Sequence, residues 1–88
     1  MNRDDGFDEL RTMFAEDLAE KIKSLQSALT DSNWESIVKI SHQIGGTAKS
    51  FGYPEISAAA HELERSSGKI SLEEAAVLVK KISELFVL

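Results

Sequence analysis

Ser32-Asn33-Trp34-Glu35-Ser36-Ile37-Val38-Lys39-Ile40-Ser41-His42-Gln43-Ile44-Gly45-Gly46-Thr47-Ala48-Lys49-Ser50-Phe51-Gly52 reads as one amphipathic helix between two marked ends. Ser32 to Glu35 fits a capping box, in which a hydroxyl accepts from an early N–H and a Glu three residues on reaches back. Gly52 suits the left-handed stop position after a helix. The spacing therefore predicts a helix from about Asn33 to Phe51. With Ile44 at zero and about 100° per residue, Ile37, Ile40, Ser41, Ala48 and Phe51 fall between about −40° and +60°, which is the core face. His42 falls near about 160°, almost directly opposite, and should face solvent in the middle of a rigid helix. Gly46, Lys39 and Lys49 share that outer side, and Gly45 lies on the flank.

Three further helices surround this one. An apolar series at Phe7, Leu10, Phe14, Leu18, Ile22, Leu25 and Leu29 steps by three and four, predicting a helix from Phe7 to Leu29. Asp4 and Asp5 stand near its positive end. Lys21 interrupts the stripe; it either snorkels to the surface or brings its ammonium to a site in a helix–helix groove. Pro54 suits the first turn of a helix from Pro54 to Ser67, which buries Ile56, Ala59, Ala60 and Leu63 and ends at Gly68. Ser71-Leu72-Glu73-Glu74 is a second capping box, opening a helix with Leu72, Ala75, Val79, Ile82 and Phe86 on its apolar side. Amphipathic helices joined by short turns imply an all-α, antiparallel four-helix bundle. The whole chain, 1–88, reads as one domain with a polar tail at 1–6, and the apolar Phe86-Val87-Leu88 should pack the bundle end.

Composition narrows the function. The net charge of −5 repels polyanions, so nucleic acid is not the expected partner. No apolar run approaches a membrane span, and the polar opening Met1 to Gly6 does not read as a signal peptide. The absence of cysteine excludes disulfides and thiolate metal sites, and fits a cytoplasmic location. No acid–base or nucleophile pair marks a hydrolase cleft. His61 should be an ordinary surface residue, and His61-Glu62-Leu63-Glu64-Arg65 lacks the second His of a zinc-protease helix. No metal site is expected.

His42 is the candidate for chemistry. A neutral imidazole nitrogen is a good nucleophile near neutral pH. The two mid-helix glycines cost about 1 kcal/mol each relative to Ala, a large sum for a small domain. Gly46, on the solvent side, reads as a position kept bare beside His42; Gly45 could serve that purpose or admit a neighbouring helix closely.

The stretch Ser41-His42-Gln43-Ile44-Gly45-Gly46-Thr47-Ala48, with Phe51-Gly52 beyond, resembles the signature of histidine phosphotransfer (HPt) domains. His42, Ile44, Gly46, Ala48 and Gly52 match by position, and Ala60, Leu63 and Glu64 resemble the alanine, leucine and acid common in the family's next helix. The lysine usual three residues after the histidine is Gly45 here; Lys49 could supply the missing charge. The resemblance implies a phosphorelay protein that carries a phosphoryl group on His42 between receiver-domain aspartates. It implies a stoichiometric carrier and not an enzyme, working as a monomer without a cofactor of its own. Its partners would be a response-regulator receiver domain, which brings the Mg²⁺, and a hybrid or sensor histidine kinase. Gly45, Gly46, Lys39 and Gln43 would form the receiver-docking surface. The alternative is a non-catalytic HPt-like interaction module whose histidine is unused.

Overall fold

A computed structural model describes the backbone of residues 4–87 and the side chains of residues 9–86. Residues 4–6, expected in a polar tail, form the first turn of the first helix, which therefore starts before the expected Phe7; residues 1–3, the side chains of Phe7 and Val87, and Leu88 lie outside the described range. Four helices make up the regular structure of the described residues: α1 (Asp4–Thr30), α2 (Trp34–Ser50), α3 (Pro54–Arg65) and α4 (Leu72–Val87). α2 packs on α1 and α3, and α4 closes the ring against α3 and α1, so all four share one core in an elongated helical bundle of 51 × 20 × 20 Å.

The apolar spacing sets which face each helix buries. Phe14, Leu18, Ile22 and Leu25 of α1 meet Ile37, Ile44 and Ala48 of α2 in the core. Ile56, Ala59, Ala60 and Leu63 of α3 and Ala75, Val79 and Ile82 of α4 complete it. Leu10 departs from the expected stripe and is 55% exposed. Phe14 already stands level with the α2–α3 turn, where its ring stacks on Phe51 and Tyr53 at 4.2 and 5.4 Å. Leu10 lies one turn further out, beyond this aromatic cluster. Phe51, expected on the core face, is 41% exposed, because it is the C-cap of α2 and lays its ring across the bundle end.

The helix ends explain the connections. Ser32, expected to cap α2, instead terminates α1: its φ is +56°, and the bonds Asn33 N–H to Ala28 O (2.9 Å) and Ser32 N–H to Leu29 O (3.1 Å) form a Schellman motif. The cap of α2 therefore falls to Asn33, whose Oδ1 accepts from Ser36 N–H at 3.2 Å. Gly52 (φ +86°) closes α2 in the same way, with Tyr53 N–H on Ala48 O at 2.8 Å. α3 ends at Arg65, two residues short of the sequence expectation, in a tightened turn that leads to Gly68. The second capping box forms as expected: Ser71 Oγ accepts from Glu74 N–H at 3.1 Å, and Ser71 N–H donates to Glu74 Oε1 at 2.9 Å.

Candidate functional site

Ser41 and Ile44 are wholly buried, and they anchor the inner face of α2 in the bundle. His42, between them in sequence, must point the other way, and its side chain is 70% exposed. One interaction holds it. The Nδ1 of His42 lies 3.0 Å from Oε2 of Glu64, on α3. An ionised carboxylate can only accept, so this bond places the imidazole proton on Nδ1. The lone pair is then on Nε2, which is left as a nucleophile.

Glu64 belongs to a polar stripe of α3 that faces α2. Ser57, His61 and Glu64 recur at intervals of four and three, the spacing of one helix face. Ser57 Oγ, buried, donates to the Gly45 carbonyl at 2.8 Å. The His61 ring lies directly over Gly45: a Cβ there would stand 2.7 Å from His61 Cε1 and 2.9 Å from Nε2. His61 Nδ1 is also 3.6 Å from Glu64 Oε1, so one carboxylate faces both histidines.

This contact selects close helix approach from the two readings of Gly45, removing it from the docking surface, and corrects the reading of His61. Gly45 is not part of an open rim; it is buried, and its missing side chain lets α3 approach α2. His61 is no plain surface residue, but packs on α2 beside the site. Gly46 does stand in the open, with nothing within 4 Å of where its Cβ would be.

The remaining candidates are exposed residues of α2. Lys39 and Gln43 line a groove against α1 that also holds Asp17 and Lys21. A second open groove, continuous with it through Lys21 and Gln43, is lined by His42, Gly46 and Thr47. Lys49 lines neither groove. Lys21 Nζ pairs with Asp17 Oδ1 at 3.0 Å. A surface pair at this spacing contributes only about 0.3–0.5 kcal/mol, so Lys21 is lightly held. Among the described residues, no group of three or more His, Asp or Glu is arranged to hold a metal ion, and no helix is long and apolar enough to cross a membrane.

The exposed histidine on a helical bundle is matched by a comparison of sequences: the family model for the Hpt domain fits residues 9–86. The chain belongs to the Hpt domain family. No curated protein and no solved structure matches it. At the family level, Hpt domains serve histidine phosphotransfer in phosphorelays and interact with receiver domains and histidine kinases. Within this Hpt domain, the sequence pointed to His42 but missed His61 and gave Glu64 no role. The available signal was the polar spacing of Ser57, His61 and Glu64, set beside an apolar stripe on the same helix.

Proposed function

We propose that this Hpt domain is a stoichiometric phosphocarrier that shuttles a phosphoryl group between receiver-domain aspartates through His42. The observation that carries this reading is the pairing of an exposed His42 ring with Glu64 at Nδ1, which leaves Nε2 for chemistry. In the forward step, Nε2 attacks the phosphorus of an aspartyl phosphate on the partner. A P–N bond forms, the P–O bond to the aspartate breaks, and the carboxylate leaves. The phosphorylated ring becomes cationic with its proton on Nδ1, where Glu64 balances the charge. The reverse step returns the phosphoryl group to an aspartate.

On this reading the receiver domain of a response regulator brings the Asp and Mg²⁺, and a hybrid or sensor histidine kinase supplies the phosphoryl group. Gly46 and Gln43, with Lys39 beside them, form the docking surface, and Lys49 remains an accessory cation at its edge. The chain would act in the cytoplasm as a monomer and an antiparallel bundle; the short connections at 31–33 and 51–53 between packed neighbours support that arrangement.

The test is incubation of the parent and His42→Gln with a phosphorylated receiver domain. The parent should gain acid-labile, base-stable phosphate and His42→Gln none, while both keep the same melting point within the effect of a surface substitution, under about 0.5 kcal/mol. A parent that takes no phosphate would leave the non-catalytic interaction module as the better reading, for which the glycine at position 45 speaks. Phosphate mapped to His61 would move the site.

A further inference from the structure

Placing a phosphoryl group on His42 creates an electrostatic problem. The group arrives with about two negative charges at neutral pH, beside a ring whose other nitrogen already holds the carboxylate of Glu64. A nearby cation would offset that charge, and α2 offers none three residues after His42, where Gly45 lies under the His61 ring. Lys49 sits in the last turn of α2, outside the groove that holds His42. The groove has a different cation. Lys21, on α1, lines it together with His42, Gln43 and Gly46.

The arrangement of Lys21 suits a charge that is called on only when phosphate arrives. Its stem lies in the interhelical groove, with the side chain 26% exposed, and its ammonium rests on Asp17 one turn earlier on the same helix. That partner is itself half-exposed, and the pair is screened by solvent. A dianion is a stronger partner than a single solvated carboxylate. Lysine carries its charge as a point at the end of a flexible stem, and Lys21 lines the same groove as His42.

We propose that Lys21 is the catalytic cation of this site: its ammonium exchanges Asp17 for the phosphoryl group as that group reaches Nε2 of His42. The proposal rests on the phosphotransfer reading above. It makes α1, not α2, the source of the stabilising charge, and so assigns a function to Lys21, a basic residue set within the apolar stripe of α1. No proton is transferred by Lys21; it stabilises the charge on the phosphoryl oxygens while the P–N bond forms and the P–O bond breaks.

The experiment measures transfer from an isolated receiver domain carrying aspartyl phosphate to the full chain, in the parent, Lys21→Met, Lys21→Arg, Asp17→Asn and Lys49→Ala, with melting curves for each. Lys21→Met keeps the apolar stem and should slow transfer by roughly tenfold, or about 1.4 kcal/mol of activation free energy. Lys21→Arg should recover most of the rate, and Asp17→Asn, which frees the ammonium, should be at least as fast as the parent. In the phosphorylated parent, the NMR signal of the Lys21 ammonium should shift further than those of Lys39 and Lys49. Parental transfer by Lys21→Met overturns the proposal, as does a tenfold loss found in Lys49→Ala instead. If Lys21→Met melts too low to assay, the Lys21 signal decides: a shift on phosphorylation no larger than those of Lys39 and Lys49 overturns the proposal. A parent that accepts no phosphate sinks the phosphotransfer reading itself, and this proposal with it, and is told apart by the parent's own inactivity.

Discussion

Glu64 holds His42 across a helix boundary: its Oε2 lies 3.0 Å from Nδ1 of the exposed ring, while Oε1 faces Nδ1 of His61 at 3.6 Å. The nucleophile is thus carried by α2 and oriented by α3. The bond ties one rotatable imidazole to a half-buried carboxylate and fixes which nitrogen carries the proton.

Glu64→Ala should slow phosphate transfer to His42 by roughly tenfold or more, about 1.4 kcal/mol of activation free energy for each factor of ten. Stability should fall by no more than about 1 kcal/mol, since a single solvent-accessible hydrogen bond is lost. Stopped-flow transfer rates and a denaturant melt of the same preparation check both halves. A variant that transfers like the parent would show that the ring orients itself.

A side chain at position 46 would enter open space, so its effect should be local. Gly46→Ala should stabilise the domain by up to about 1 kcal/mol through helix propensity alone. Gly46→Gln should also melt no lower than the parent, yet transfer more slowly, because a long side chain one turn from His42 obstructs the approach needed for in-line transfer. Thermal midpoints and transfer rates on the two variants separate the effects. Higher melting with an unchanged rate would mean that the partner leaves room at this position.

Gly45 and His61 should be energetically coupled, because the ring occupies the space that a side chain at 45 needs. Gly45→Lys should destabilise, by an amount on the order of 1–3 kcal/mol typical of overpacking, unless the ring swings out. Adding His61→Ala should recover part of that loss. A double-mutant cycle by chemical denaturation should give an interaction energy of at least about 0.5 kcal/mol, as expected for residues in contact. Strict additivity would show that the two do not share the space.

Much of this protein was legible from the sequence because helical periodicity and end signals act locally. The stripe from Phe14 to Leu25, the Gly52 stop, the Ser71–Glu74 box and the outward direction of His42 depend only on residues within a turn or two of each other. Local signals also compete, and Ser32 shows it: the same residue fits the start of α2 and the end of α1, and the backbone uses it for the end. What the sequence could not supply was rotation of one helix against another. The wheel of α2 placed Gly45 on a flank without saying what stands there. Only the packing of α3 puts His61 over Gly45 and Glu64 against His42, and only the packing of α1 puts Lys21 in the groove beside them. A helix determines its own faces through its 3.6-residue repeat; which faces meet is decided by the burial of all four apolar stripes in one core at once.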